Sequence, residues 1–429
     1  MPQRIQAKYD TAEELLKAVP TGEGAWATDA RAAAAARLRA MGAPHRRDEY
    51  WRYTNPNKLV SPGAQAALFG GADDGAPPFE GIDRVQLVFV DGVFDPAQSD
   101  DPAIAGAEVE PLGDALKADI HWAAKLYGQL ETRGQSPVER PLAALNSATA
   151  TQGFVISVSG KAEKPVHFRY LQSSETSDAT VHHVVRLAPG AAFTLLENGP
   201  AAARFNSVLE VDVPDNAAFH HVRAQGRTHE RHAATAMFAR LGQESTFKSF
   251  TLTVNGALTR NECVIELTGD DAHATVAGAC AGDGAFHHDD TVFVTHDAFN
   301  CESRQVFKKV LRNGATGVFQ GKILVKEDAQ KTDGYQISQG LLLDDDSNFL
   351  AKPELEIYAD DVACSHGSTV GAIDETALFY LTSRGVPRRQ AQDMRTLAFL
   401  AEAVDEIDDE VLAEEMTNRL GNWLARRSG

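Results

Sequence analysis

A short turn that recurs at nearly constant spacing constrains the fold of this chain more than any other feature of its sequence. From about residue 153 onward, alternating stretches such as F-V-I-S-V are separated by turns in which Gly, Asn or Asp directly precedes an alanine. These turns begin at positions 189, 215, 255, 270, 283, 296, 313 and 327. From 255 onward they lie only about 15 residues apart, whereas a strand–helix–strand unit needs more than about 30 residues, so crossover helices do not fit. The region is therefore an internal repeat of short strands.

Two architectures accommodate such strands. An antiparallel sandwich or barrel usually has a turn about every 10 residues. A β-solenoid accepts longer spacing and stacks like turns along an edge, where a small alanine side chain leaves room for the neighbouring coil. The repeat favours the solenoid. We therefore predict a mainly β chain with a solenoid core at 151–372, an N-terminal helical and mixed region at 1–150 and a C-terminal helical domain at 373–429.

Helical patterns flank the repeat. Thr11-Ala-Glu-Glu has the form of a capping box and predicts a helix start at Thr11, and the Ala/Arg-rich run 27–41 predicts a second helix. After the repeat, Asp374 is a candidate N-cap, and apolar residues at helical spacing predict helices over 388–403 and 408–425. Because a solenoid has open ends that must be covered, we expect these last helices to cap it. The alternative is a docking surface for a partner.

Charge and cysteine content exclude several functional classes. The chain has 41 basic and 60 acidic residues, a net charge of −19 that repels phosphate backbones and anionic lipid, so no role at nucleic acid or membrane surfaces is expected. No long apolar stretch and no signal-like N-terminus occur, so we expect a cytoplasmic protein. The four cysteines are too few and too widely spaced for a disulfide framework or a Cys-x-x-Cys zinc site: Cys263, Cys280, Cys301 and Cys364.

Common catalytic signatures are incomplete. A P-loop would need glycine at Thr316 and Ser or Thr at Ile323. His229-Glu-Arg-His232 differs from the zincin motif because its second histidine stands three positions after the first instead of four.

Three histidine doublets stand in strand-like segments. Adjacent residues of a strand point to opposite faces, so a doublet cannot offer both rings to one metal ion. We interpret the doublets as structural, and a stand-alone metal-dependent enzyme with a histidine-lined groove remains the alternative. The doublets are His182-His183, His220-His221 and His287-His288.

The most informative chemistry lies in the segment 352–371. Cys364 and His366 are two positions apart, so on a strand both side chains face the same way. A thiolate and an imidazole together suit iron or zinc. Two ligands make only half of a four-coordinate site, so the others would come from distant residues or from a second subunit. The alternative is a buried structural cysteine beside a turn histidine. Asp360 and Asp361 are either groups that attract iron or solvated turn residues.

Several motifs resemble the SufB/SufD family of iron–sulfur cluster assembly proteins. They are G-V-F-Q-G-K-I at 317–323, A-Q-K-T-D-G at 329–334, K-P-E-L-E-I-Y-A-D-D-V at 352–362, C-S-H-G at 364–367, L-F-Y-L-T-S-R-G at 378–385 and Y-W-R-Y-T at 50–54. The motif A-D-D-V-x-C-S-H-G at 359–367 and the modest length of the chain favour the SufD branch of this family.

The resemblance implies a right-handed parallel β-helix between helical regions, and a scaffold subunit that is not an enzyme by itself. A SufB-like paralogue is expected to pair with the end of the β-helix, and a SufC-like ATPase to bind the C-terminal helices. Cys364 and His366 would hold iron or a nascent iron–sulfur cluster at the interface, with further ligands, a cysteine included, from the paralogue. No cofactor is expected to stay tightly bound to the chain alone. Pairing with a second copy in isolation is left open. A further interpretation is an ATPase-docking subunit that carries no ligand.

Overall fold

The computed structural model describes residues 3–21, 23–68, 77–103, 106–225, 230–254 and 256–426. Two features singled out above, the turn residue Asn255 and His229 of the zincin-like pattern, lie outside the described residues.

The helices of the described chain lie before and after the strand repeat. They are α1 (Gln3–Leu15), α2 (Ala25–Met41), α3 (Leu112–Ala115), α4 (Gln129–Arg133), α5 (Pro141–Thr149), α6 (Glu375–Thr382), α7 (Arg388–Val404) and α8 (Glu410–Arg426). Asp374 is the N-cap of α6, as predicted, because its Oδ1 accepts the N–H of Thr376 at 2.8 Å. The predicted start at Thr11 is wrong: Thr11 lies inside α1, where its hydroxyl donates to the carbonyl of Ala7 at 2.8 Å. No described helix is both long and apolar enough to cross a bilayer.

The strands occupy the middle of the chain. They are β1 (Val85–Val90), β2 (Val93–Phe94), β3 (Ala107–Pro111), β4 (Phe154–Val158), β5 (Val166–Leu171), β6 (Asp178–Leu187), β7 (Ala192–Asn198), β8 (Arg204–Val213), β9 (Ala218–Gln225), β10 (His232–Leu241), β11 (Thr246–Val254), β12 (Leu258–Leu267), β13 (His273–Asp283), β14 (His287–His296), β15 (Glu302–Arg312), β16 (Thr316–Val325), β17 (Asp333–Leu342), β18 (Asn348–Ile357) and β19 (Ala363–Gly371).

These strands form two sheets that wind together as a parallel solenoid. Sheet A has the order β19-β17-β15-β13-β11-β9-β7-β5-β1-β2, and sheet B has the order β18-β16-β14-β12-β10-β8-β6-β4-β3. From β4 to β19 successive strands alternate between the sheets, and the fourteen strands from β6 onward make seven two-strand coils. The positions Thr246, His273, Glu302 and Asp333 stand in register, so each coil takes up about 30 residues, an ordinary length for a solenoid repeat. The predicted mainly β solenoid is confirmed, and the antiparallel sandwich or barrel is wrong.

The repeated turns lie alternately on the two edges of this solenoid. At the first edge, where the chain passes from sheet B to sheet A, one corner residue of each coil from β6–β7 to β16–β17 has a positive φ: Gly190, Asn216, Glu244, Asp271, Asn300 and Lys331. The N–H of each donates to a corner carbonyl of the next coil, as in Gly190 to Asp215 at 2.9 Å and Asn300 to Gln330 at 2.8 Å. This ladder of backbone bonds holds the corners in line.

The alanine after the turn has different surroundings at the two edges. At the first edge the predicted small corner side chains are buried: Ala191, Ala217, Ala272, Ala298 and Ala329. At the second edge Ala285 is exposed, so no stacking requirement explains its size there. The turns at the two edges therefore look alike in sequence, although only the first edge buries all of the alanines that follow its turns.

The outer faces of both sheets are covered by helices. Short N-terminal helices pack on sheet B, where Leu116 and Leu130 are buried with Val208. On sheet A, α7 and α8 bury Leu400 and Met416 with apolar residues of β13 and β15. The expectation that the C-terminal helices cap the end of the solenoid is wrong. They lie along its side, because the outer face of sheet A is itself apolar and would otherwise be exposed to water.

The family-like motif at residues 50–54 anchors the N-terminal segment to sheet B. Thr54 Oγ1 donates to Asp289 Oδ2 at 2.5 Å, and the backbone carbonyl of Tyr50 accepts from Arg260 Nη1 at 2.9 Å. The guanidinium of Arg260 also lies over the ring of Trp51, 4.1 Å from its centroid. Arg260 and Asp289 also form an ion pair with each other, so the buried charges of this contact are paired and the motif has a structural role here.

Candidate functional site

The two ends of the solenoid differ. At the first end the short strands β2 and β3 pair antiparallel with β1 and β4 and close both sheets. At the other end β18 and β19 are the last strands of sheets B and A. The second end therefore presents two strands with no described strand on their outer side, and we call it the open end.

His366 occupies an inward-facing position at the open end. In sheet A, His366 stands in register with Gln336, which stands in register with Gln305. Both glutamines are completely buried inside the solenoid, and Gln336 Nε2 donates to Gln305 Oε1 at 2.8 Å. His366 continues this inward column but is exposed, because no further coil covers it.

Cys364 faces the same way and is half-buried. A Cβ at Gly334, its register partner, would lie 3.1 Å from Cys364 Sγ, so the glycine leaves the space into which the sulfur packs. The thiol rests against a small apolar cluster formed by Ile323, Val325, Ala329 and Ala359. Burial is the largest cause that raises the pKa of Cys364 above its ordinary value.

The other three cysteines are buried and less suited to bind a ligand. Burial raises the pKa of Cys263 and of Cys280 to about 12, and that of Cys301 to about 11. Since the thiolate is the metal ligand, Cys364 is the best-placed cysteine of the chain.

The opposite wall of the open end is apolar. Pro353, Leu355 and Ile357 of β18 stand in register with inward-facing positions of β16. Ile357 and Val370, at the rim, are exposed. The open end thus combines a Cys–His pair with exposed apolar side chains, a combination typical of a surface that another protein covers.

Asp361 is a corner residue. Its backbone carbonyl accepts the N–H of Lys331 at 2.6 Å, its side chain pairs with the same lysine, and its own N–H donates to Gln330 Oε1 at 2.9 Å. The structural interpretation of Asp361 therefore has the stronger support. Within the described residues no three His, Cys, Asp or Glu side chains are grouped so as to hold a metal ion. Cys364 and His366 therefore have no third described side chain of these types grouped with them.

The histidine doublets divide between the two faces of their strands, as predicted. His183 lies inside the solenoid, where Nδ1 accepts the N–H of Phe154 at 3.1 Å and Nε2 lies 3.0 Å from the hydroxyl of Tyr170. His182 faces outward, with Nε2 2.8 Å from Glu210 Oε1. Each ring has its own partners, and the two do not share a ligand.

The other doublets behave similarly. Inside the solenoid, His221 Nε2 lies 3.0 Å from Glu197 Oε2, and His288 Nδ1 lies 2.8 Å from Lys309 Nζ. His287 points the other way, 2.9 Å from a hydroxyl of the N-terminal segment. Burial lowers the pKa of His221 and places that of His288 well below its ordinary value. These inward rings are sealed from solvent, so they do not line an open groove.

Sequence reasoning missed the polar residues beneath the Cys–His pair. Gln305, Gln336 and His366 follow one another along the chain at intervals of one coil. Ser338 Oγ donates to Ser368 Oγ at 3.0 Å in the neighbouring inward column. An alignment of the sequence at the coil length, instead of the turn spacing, would have found both columns.

Comparison with known proteins identifies the family of the chain. A sequence profile described as "SUF system FeS cluster assembly, SufBD core domain" matches residues 170–399, more than half of the chain. The iron–sulfur cluster assembly protein SufD of Escherichia coli K12 is 31% identical over 398 residues, which cover 89% of this chain and 90% of that protein. The chain belongs to the SufBD family. Its role therefore lies in iron–sulfur cluster assembly by the SUF system.

More distant SufBD proteins support the same assignment. A SufBD family protein of Synechocystis is 27% identical over 88% of this chain and 86% of its own length. SufD of Bacillus subtilis is 26% identical over 70% of this chain and 72% of its own length. Two of these three relatives carry the SufD name, in agreement with the predicted branch. The matched SufBD core domain includes the open end with Cys364 and His366.

Proposed function

We propose that this chain is a non-catalytic scaffold subunit of the SUF system, which pairs with a SufB-type paralogue and a SufC-type ATPase. The paralogue would cover the open end, and a nascent iron–sulfur cluster, or its iron, would be the cargo held between the two chains. The single observation that carries the proposal is the position of Cys364 and His366. Both occupy inward-facing sites at the one end of the solenoid that no described coil covers.

The coordination chemistry supports an incomplete site in the isolated chain. Thiolate and neutral imidazole are ligands that iron accepts, and a tetrahedral site needs two more. The paralogue would supply these, so the chain alone binds iron weakly. Because Cys364 must lose its proton and its pKa is raised, cluster assembly releases a proton and becomes more favourable as the pH rises.

The C-terminal helices offer a second surface, which we assign to the ATPase. The buried sides of α7 and α8 pack on sheet A, and α6 packs against α7. Phe379 and Tyr380 of α6 are 71% and 56% exposed. Met394 of α7 and Val411 of α8 are also exposed. Because α7 and α8 lie along sheet A and not over the open end, the apolar residues exposed on the C-terminal helices would let the chain bind two partners at once.

Two other functions are less well supported. A stand-alone metal-dependent enzyme would need accessible histidines, whereas those inside the described solenoid are buried and tied to neighbours. A subunit that only docks the ATPase would not need its half-exposed cysteine and exposed histidine on one face. This third option is tested by replacing Cys364 and His366.

Co-purification with SufB-type and SufC-type partners tests the proposal. Val370→Glu places a charge at the open end and should abolish binding of the paralogue, while the ATPase still binds. Phe379→Glu should have the opposite effect. Ile120→Glu, at an exposed isoleucine of the N-terminal region, is the matched control and should keep both partners. If Val370→Glu and Phe379→Glu retain both partners, the assigned surfaces are wrong.

A further inference from the structure

The charges of the C-terminal helices are divided between a basic half and an acidic half. Residues 384–395 contain four arginines and one carboxylate, whereas residues 402–415 contain eight carboxylates and no lysine or arginine. A group of arginines is unusual in a chain whose net charge is −19. The two halves also differ in what their charges contact, which indicates that they have different roles.

The acidic half is held by cations of the solenoid. Glu402 of α7 accepts from Nζ of Lys308 in β15, which is buried. Asp408, in the turn between α7 and α8, accepts from Nζ of Lys248 in β11 at 2.6 Å. Both lysines belong to sheet A, so these ion pairs attach α7 and its following turn to the solenoid. Part of the acidic charge is thus neutralised within the chain.

The basic half faces solvent instead. Its four arginines are all exposed: Arg384, Arg388, Arg389 and Arg395. Among the described residues only Arg388 of these four has a carboxylate partner, Glu375, at 2.7 Å. Arg388 and Arg395 are seven positions apart, so they lie on the same face of α7. The positive charge of this half is therefore available to a partner.

Exposed apolar side chains accompany these arginines. Phe379 and Tyr380 lie on α6, which packs against α7, and Met394 directly precedes Arg395. The guanidinium of Arg384 lies over the ring of Tyr380, 3.9 Å from its centroid. Aromatic residues, methionine and arginine are the types enriched in protein interfaces, and arginine pairs with carboxylates through two parallel hydrogen bonds. A surface of this composition fits a partner surface that is both apolar and acidic.

We infer that this basic patch recognises an acidic face of the SufC-type ATPase. The basic patch consists of Phe379, Tyr380, Arg384, Arg388, Arg389, Met394 and Arg395. The inference rests on the proposed function, which assigns these helices to the ATPase, and adds the chemistry of recognition. Carboxylates of the ATPase would accept from the guanidinium groups, and the acidic half beyond residue 402 would repel the same face. Attraction at one end of the helices and repulsion at the other would fix the orientation of the ATPase.

The association rate of the ATPase with the full chain, measured at increasing ionic strength, tests this inference. For the parent chain the rate should fall as salt is added, because salt screens exposed charges. The double variant Arg389→Glu with Arg395→Glu should associate about tenfold or more slowly at low ionic strength and show little fall with salt. Both side chains are exposed and form no ion pair with a described residue, so the variant should fold as the parent does.

A matched control separates the patch from the charge of the whole chain. The double variant Arg46→Glu with Arg47→Glu changes the net charge equally at two exposed arginines of the N-terminal region. It should keep the parent's salt dependence and a similar rate. An equal slowing in this control would overturn the inference, because total charge would then explain the effect.

Two further measurements distinguish this inference from the assignment of the surface. If Phe379→Glu abolishes binding while the Arg389/Arg395 variant binds like the parent, the ATPase surface is correct and its electrostatic recognition is wrong. Vesicles that contain phosphatidylserine test the arginines for an affinity to anionic lipid. Binding of the parent chain to these vesicles that is lost in the arginine variant, together with unchanged binding of the ATPase, would also overturn the inference.

Discussion

Inward-facing polar residues have opposite properties in the middle of the solenoid and at its open end. His183, in an early coil, is sealed between neighbouring coils, with both ring nitrogens in contact with fixed partners. His366 stands at an equivalent inward position of the last coil and is exposed. The residue type and the face of the strand are the same. What differs is the presence of a covering coil, so position along the solenoid decides whether a polar side chain supports the fold or is available to a ligand.

The same contrast applies to the cysteines. Cys263 and Cys280 face the interior, and burial makes their thiols hard to ionise by raising the pKa of each. Cys364 sits on the last coil, half-exposed, against an apolar cluster that holds it in place. The open end thus exposes a cross-section of the solenoid interior, which the proposed paralogue would cover.

Lowering the pH should reveal the largest difference between the solenoid interior and the open end, measured as a loss in the free energy of unfolding. Burial lowers the pKa of the inward-facing His183 to about 3 and that of His296 to about 4, below the ordinary value near 6.5. In the unfolded chain these rings take up protons as the pH falls through about 6.5, whereas the folded chain excludes them. The stability they provide is complete above that range and decreases below it, by about 1.4 kcal/mol per pH unit for each histidine.

Urea unfolding at pH 7 and pH 5 measures this loss. His366→Ala should show the same loss as the parent chain, because this variant leaves the buried rings that cause the loss unchanged. A free energy of unfolding that is unchanged or higher at pH 5 would contradict the claim that the folded chain keeps these buried rings unprotonated.

Replacement of single histidines should give the next largest difference. His183→Ala leaves the N–H of Phe154 without its partner and opens a cavity beside Phe168, whose ring stacks on His183 with centroids 4.2 Å apart. We expect a loss of about 3–5 kcal/mol in the free energy of unfolding. His366→Ala should cost less than about 0.5 kcal/mol. Equal effects of the two replacements would remove the distinction between the regions.

The two edges of the solenoid provide a smaller test. Ala298→Leu adds volume at a packed corner of the first edge and should cost about 1–3 kcal/mol by overpacking. Ala285→Leu, at an exposed corner of the second edge, should cost less than about 0.5 kcal/mol. Chemical denaturation of both variants checks the prediction, and a cost at Ala285 as large as that at Ala298 would refute it.

Thiol chemistry should separate the regions without a change in stability. In the folded chain a thiol reagent should modify Cys364 and leave the three buried cysteines unmodified until urea is added. Peptide mapping identifies the labelled residue. If Cys263 or Cys280 were labelled as fast as Cys364, the solenoid interior would be accessible to the reagent and the prediction would be wrong.

The regular part of the fold could be predicted because turns and alternation are local. The turn spacing indicated short strands without crossover helices, and a single local signal identified Asp374 as a helix N-cap. The coil length could not be read directly from the sequence, because each coil contains two similar turns, one at each edge. Ala285 follows a turn of the second edge and Ala298 follows a turn of the first edge, yet the two turns look alike in sequence. The position of α7 and α8 was missed because Val306 and Val310 are buried on the outer face of sheet A, and strands buried on both faces lose their alternation.

The candidate site was predictable only in part. Two-residue spacing places Cys364 and His366 on one face, and that local rule was sufficient. The buried column beneath them, Gln305 and Gln336, depends on the register between successive coils, which no local pattern specifies. The helix start at Thr11 was mispredicted because a capping sequence also fits inside a helix, where the hydroxyl bonds a carbonyl one turn back.

The most direct test of the central claim is the cluster content of the reconstituted complex. The chain would be assembled with SufB-type and SufC-type partners, and iron and acid-labile sulfide would be measured per complex for Cys364→Ser, His366→Ala and the control Ser368→Ala. Ser368 lies on the same strand and face but is not a proposed ligand. The account predicts an intact complex throughout, a several-fold loss of cluster in the first two variants and none in the control. Wild-type cluster content in both Cys364→Ser and His366→Ala would contradict it, and would place the site wholly in the partner.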